Sequence, residues 1–166
     1  MLKSALDIVR PTDDIIRAVA ENMRQCDRAE IWLSHRHVPI DGLKRSIAIS
    51  RNDCYAAVAD GVPLAVFGVA APSLTSLTGS PWMLGSDSFN LYRKEIAAAS
   101  RPMINYLRGG YTLLENWVHS DNMTSVRWLR SCGFTVEAAE PYGPFGAYFH
   151  HFWMTGELKP CAIHRQ

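Results

Sequence analysis

The chain has 166 residues, 48% of them hydrophobic and 20% charged, with a net charge of +1 when histidine is neutral. That length and balance suit one folded domain spanning residues 1–166 and exclude a disordered chain. The near-neutral charge gives no field for nucleic acid or an anionic membrane. The longest apolar run, Leu64 to Ala71, is far short of the roughly 18 residues a membrane span needs. Asp7, Arg10, Asp13 and Asp14 break up any leader-like core. Four scattered cysteines (Cys26, Cys54, Cys132, Cys161) form no C-x-x-C pair, which predicts reduced thiols and a cytoplasmic protein.

In chain order, "LDIVRP" predicts a first strand closed by Pro11. Thr12 is placed to cap a helix whose first turn carries Asp13 and Asp14. Ile15, Ile16, Val19, Ala20 and Met23 give that helix its apolar face. "DRAEIWLSH" predicts a second, shorter helix, and "PIDGLKRSIAIS" a third from about Asp41. In "CYAAVADGVPLAVFGVAA" two apolar runs flank Asp60-Gly61, a hairpin signal. "PWMLGS" predicts a short strand. A long helical segment from about Ser88 to Leu107 follows, with Leu91, Ile96, Ala99 and Met103 facing inward and Gly109-Gly110 ending it. "YTLLENWVHS" is the next strand, then a short helix, then "FTVEA" and "AYFHHFWMTG" as closing strands. The expected fold class is α/β, an α+β mixed sheet of about six to seven strands flanked by helices on both faces.

The short helix sits in "HSDNMTSVRWLRSCGF". Asp121 or Asn122 can cap it, and Met123, Val126, Leu129 and Cys132 recur along one side. Gly133 is placed as the left-handed residue past the helix end, with Phe134 packing back on Leu129.

Asn122, Ser125, Leu129 and Gly133-Phe134, at these spacings, resemble the last motif of the GNAT (N-acetyltransferase) superfamily. The order of elements matches that superfamily over nearly the whole chain. The resemblance implies a GNAT-like acyl-CoA N-acyltransferase fold in which the fourth and fifth strands, Pro81 to Ser86 and Thr112 to Ser120, splay apart. The pantetheine arm of acetyl-CoA then inserts between them. By the same resemblance Met83, Leu84, Gly85 and Ser86 on the fourth strand, Arg93 on the next helix, and Asn122 and Ser125 bind the cofactor. Five phrases, among them "NMRQCDRAEIW", "DGVPLAVFGVA" and "PYGPFGAYFHHFWM", are similar to the GNAT-like internal virion and assembly proteins of short-tailed phages. This implies a phage or prophage protein of the host cytoplasm or the virion. It is either an acetyltransferase acting on an unidentified amine or a non-enzymatic assembly scaffold with a phage or host protein as partner.

Two positions depart from the superfamily pattern. Glycines that would close backbone N–H groups on pyrophosphate are reduced to Gly85 in "LGSDSFNLYRKE", with Asp87 where phosphate would sit. Ser86, Asp87 and Ser88 can instead satisfy the helix N–H groups themselves. The position of the usual tyrosine acid, seven residues after Asn122, is Leu129. Glu115 and His119 share a parity on the fifth strand and are the catalytic candidates. Tyr142 and Tyr148 are alternative phenolic donors. "HRH" (His35, His37) and "HH" (His150, His151) lack the spacing of a metal site, so no metal is expected. Arg24, Asp27, Arg28 and Glu30 are expected to form a solvated, charged helix end; the alternative, implied by the resemblance because the region between the first two helices borders the acceptor groove, is a contact with a substrate or partner.

Overall fold

The computed structural model describes residues 6–50, 53–73 and 75–157. Cys161 lies outside them. Among the described residues the elements run β1 (Leu6–Val9), α1 (Asp13–Glu21), α2 (Gln25–His35), α3 (Pro39–Ser50), β2 (Cys54–Ala59), β3 (Val62–Ala70) and β4 (Thr78–Gly85). A 3₁₀ turn (Asp87–Tyr92) then leads into α4 (Arg93–Leu107), β5 (Leu113–His119), α5 (Met123–Ser131), β6 (Thr135–Tyr142) and β7 (Ala147–Thr155).

The strands form one seven-stranded sheet in the order β1-β2-β3-β4-β5-β7-β6. Every neighbouring pair is antiparallel except β4 and β5, which run parallel. One face packs under α1 and α3, with Val19, Ala20, Met23 and Leu43 on Ala56, Val66 and Leu84. The other packs under α4 and α5, with Leu107, Val126 and Leu129 on Val69, Leu114, Val118 and Phe152.

Local chemistry sets the boundaries. The Thr12 hydroxyl accepts from the Ile15 N–H and starts α1. Asp60 and Gly61 both have positive φ (51° and 76°), the pairing a two-residue hairpin between β2 and β3 demands. At the end of α5, Gly133 takes φ 99° and the Phe134 N–H donates to the Leu129 carbonyl, so the predicted cap forms.

Several expectations need correction. The second helix starts at Gln25 and, at 11 residues, is longer than the 9-residue α1. The fourth strand begins at Thr78, before "PWMLGS". The segment after it opens as a 3₁₀ turn, which rotates Leu91 outward to 80% exposure; of the other residues expected to face inward Ile96 is buried and Ala99 and Met103 are half-buried. Met123 is also exposed, because it occupies the first position of α5 beyond the cover of the sheet. Ser86 caps no helix by its side chain: its hydroxyl donates to the Pro63 carbonyl. Cys26, Cys54 and Cys132 are free thiols.

Candidate functional site

The two parallel strands pair only at Thr78↔Leu113 and Gly79↔Leu114 and then part. The cause is visible in the sequence. Backbone groups alternate sides along a strand, and the Pro81 carbonyl faces β5, where it accepts from Asn116 Nδ2 at 2.9 Å. The Pro81 nitrogen faces the same way and has no hydrogen to donate, so the next rung of the ladder cannot form. Asn116 spans the break: its Oδ1 accepts from the Trp117 N–H at 2.9 Å while its amide holds Pro81.

Parting two strands orphans their facing N–H and C=O groups, and buried orphans are costly. α2 meets much of that demand. Asp27 Oδ2 accepts from the Gly85 N–H at 2.7 Å, and the Arg24 N–H donates to the Gly85 carbonyl at 2.9 Å. Glu30 Oε2 accepts from the His119 N–H at 3.3 Å and from Asn122 Nδ2 at 3.2 Å. Asp27 thus holds the end of β4 and Glu30 the end of β5. Between these points, by the same alternation, the Met83 N–H and carbonyl face the gap.

The gap opens into a cavity of about 240 Å³. Trp82, Met83 and Leu84 line it from β4, Trp117 and Val118 from β5, and Ser125 from α5. Asn122, Glu30, Asp27 and Tyr142 also reach it.

The charges of α2 are therefore not a solvated helix end. Arg24 and Asp27 are buried at 9% and 4% exposure and form a two-pronged ion pair, Nε to Oδ2 at 2.9 Å and Nη2 to Oδ1 at 3.0 Å. The Arg24 guanidinium also lies over the Phe89 ring, 4.3 Å from its centre. Burial pushes the Asp27 carboxyl up, opposed by Arg24 and the Gly85 N–H. Burial and the neighbouring Asp27 charge push the Glu30 carboxyl up to about 7, while Asn122 and the His119 N–H pull the other way.

Of the residues expected to bind a cofactor, Met83, Leu84, Asn122 and Ser125 line the cavity together. Asn122 also caps α5, its Oδ1 accepting from the Ser125 N–H at 3.3 Å. Gly85 and Ser86 are not among the residues lining the cavity, and their N–H groups are already used, Gly85 by Asp27 and Ser86 by the Leu64 carbonyl. The Asp87 N–H likewise donates to the Asn22 carbonyl at 2.8 Å. This segment therefore offers no open nest for a pyrophosphate. Arg93 is exposed at the start of α4.

Glu115 and His119 share a sheet face, as their parity requires, yet neither side chain is among the residues lining the cavity. Glu115 pairs with His151 at 3.0 Å. The His119 ring packs edge-on to Phe149 and its Nδ1 accepts from the Asp121 N–H. Tyr142 does line the cavity, stacked on Trp117 at 4.5 Å between ring centres, and burial pushes its phenol up. Tyr148 is exposed. Leu129 is buried in the core, and Trp128 donates from its indole to the Ser100 hydroxyl at 3.0 Å. Among the described residues no group of three or more His, Cys, Asp or Glu could hold a metal ion. Asn116 was not expected at the site, and the charges of α2 were expected there only as the alternative to a solvated helix end. The signals for them were Pro81 inside a strand and the acid spacing Asp27 to Glu30.

No family profile matches the sequence, and no curated protein is similar to it. Solved structures are. The RimL ribosomal L7/L12 alpha-N-protein acetyltransferase in complex with coenzyme A superposes with a TM-score of 0.68 at 12% identity, over 96% of this chain and 98% of that one. The aminoglycoside acetyltransferase AAC(6')-Ib in complex with coenzyme A gives 0.62 at 14% identity, over 91% and 95%. Ard1 from Thermoplasma volcanium gives 0.62 at 15% identity, over 93% and 99%. With its splayed parallel pair inside a mixed seven-stranded sheet, the chain has the GNAT acyl-CoA N-acyltransferase fold.

Proposed function

We propose that this protein is an acetyl-CoA-dependent N-acetyltransferase of phage or prophage origin, acting on an amine in the host cytoplasm. The observation that carries the reading is the parting of β4 and β5 beyond Gly79↔Leu114 into a lined cavity, with the Met83 backbone turned into it. A pantetheine arm is an extended chain with two amide groups. Met83 can pair with it as a strand neighbour, and Trp82, Leu84 and Val118 supply apolar walls. Asn122 and Ser125 flank it from α5. When bound, the thioester supplies the acetyl electrophile. Arg93, exposed at the start of α4, is the cation nearest in sequence to the phosphate end. The occupied N–H groups of Gly85, Ser86 and Asp87 predict that the arm, not the pyrophosphate, carries most of the affinity.

That same occupancy favours one competing reading, a phage assembly scaffold that keeps the fold without the chemistry. Transfer decides between them. Spermine, ribostamycin and a peptide with a free α-amine, each incubated with acetyl-CoA and the protein, are analysed by mass spectrometry. A 42 Da gain (about the mass of an acetyl group replacing hydrogen) on any acceptor above the protein-free rate supports the enzyme, since catalysis lowers a barrier that water alone leaves high. Equal rates with and without protein leave the scaffold.

A further inference from the structure

We infer that Glu30, on α2, is the proton acceptor for the attacking amine, a role resting on the acetyltransferase reading above. Of the carboxylates lining the cavity, Asp27 is committed: both its oxygens are held by Arg24, and Oδ2 also by the Gly85 N–H. Glu30 differs. Its Oε2 accepts two long bonds, from His119 N–H and Asn122 Nδ2, while Oε1 accepts none from the described residues. Glu30 is only half-buried and is among the residues that line the cavity. A carboxylate held by one oxygen and open at the other is positioned to take a proton without losing its anchor.

Glu30 stands at the end of β5, bonded to the His119 N–H, and lines the same cavity as Trp117 and Tyr142. A cationic amine is attracted there by the ionised carboxylate.

The step balances without another reactant. The ammonium gives one proton to Glu30 Oε1, leaving a neutral amine and a carboxylic acid. The nitrogen lone pair forms the C–N bond at the thioester carbon. Collapse breaks the C–S bond, and the thiolate leaves with the proton from the now cationic nitrogen. Glu30 returns its proton to solvent through the cavity. The net change is ammonium plus thioester to amide plus thiol, with one proton released to solvent.

The ionisable groups around Glu30 are Arg24 at the N-cap of α2, Cys26, Asp27, Arg28 and His35 on α2, Tyr142 on β6, and His119 and Asp121 at the end of β5. Asp27 opposes ionisation of Glu30 and Arg24 favours it, with burial the larger effect; the balance sets the carboxyl at about 7, suited to a base at neutral pH.

The test uses wild-type protein, Glu30→Gln and Glu30→Asp, with the best acceptor from the transfer assay and acetyl-CoA. Calorimetry measures acetyl-CoA affinity separately. The inference predicts that wild-type kcat/KM rises with pH through an apparent pKa near 7. In Glu30→Gln kcat falls at least about a hundredfold and the limb disappears, with acetyl-CoA affinity kept within about threefold. Glu30→Asp recovers part of kcat and keeps a pH limb. If Glu30→Gln transfers acetyl at the wild-type rate with the same limb, the assignment is overturned while the enzyme reading stands. If wild type transfers to no amine, both fall.

Discussion

Glu30 also leaves a mark on stability that can be read without any ligand. Its carboxyl moves from an ordinary 4.5 to about 7 on folding, mainly through burial. A carboxyl raised on folding binds its proton more tightly in the native state. Its contribution is therefore fully present below pH 4.5 and is lost as pH rises through 7. At about 1.4 kcal/mol per pH unit, the native state loses about 2.5 kcal/mol from this group between pH 5 and pH 8. Glu30→Gln keeps an acceptor for the His119 N–H and removes the titration. Urea unfolding of both proteins at pH 5 and pH 8 isolates the effect, because all other ionisable groups are common to the pair. The variant should gain about 2.5 kcal/mol on wild type over that interval, a midpoint shift of about 1 M for an ordinary urea slope of about 2 kcal/mol per M. A relative stability that stays constant within about 0.5 kcal/mol would refute the claim that Glu30 is buried against its own charge.

Three further substitutions test the frame of the site. Arg24→Met strands the Asp27 carboxylate, 4% exposed, and should cost about 3–5 kcal/mol in urea unfolding; an effect below about 1 kcal/mol would mean the pair is open to water. Asn122→Ala removes the cap of α5 and a partner of Glu30, for about 1–2 kcal/mol and a lower helical signal in circular dichroism on mild heating. Gly79→Ala places a Cβ 2.4 Å from Val69 Cγ1 and 2.8 Å from the Tyr111 ring, so it should cost about 1–3 kcal/mol and lower the thermal midpoint by several degrees.

The sequence carried the fold well wherever a local rule was strong. Thr12, Asp60-Gly61 and Gly133-Phe134 each mark a backbone geometry that few other residues satisfy, and each formed as expected. Apolar periodicity also placed Val126 and Leu129 in the core. It misplaced Leu91 because a 3₁₀ turn has a different period from an α-helix, and nothing in "SFNLY" announces the change.

The site was legible on one side only. Asn122, Ser125, Met83 and Leu84 came from the resemblance and do line the cavity. The other wall depends on α2 crossing the ends of β4 and β5, a tertiary contact between residues 58 apart (Asp27 to Gly85) and 89 apart (Glu30 to His119). Charges at i,i+3 on a helix read as solvent-facing because most are. Here they bury because the parted strands leave backbone donors that only such side chains can satisfy. Pro81 was the local sign of that parting, and its meaning required knowing which way its carbonyl faced.

On the proposed function, the gap between β4 and β5 accepts a pantetheine arm while the segment after β4 holds pyrophosphate poorly. Calorimetric titration of the protein with acetyl-CoA and, separately, with S-acetylpantetheine tests both halves at once. Both should bind, with dissociation constants within about tenfold, a difference of about 1.4 kcal/mol. Binding of neither compound would contradict the slot, and binding of acetyl-CoA alone would contradict the missing cradle.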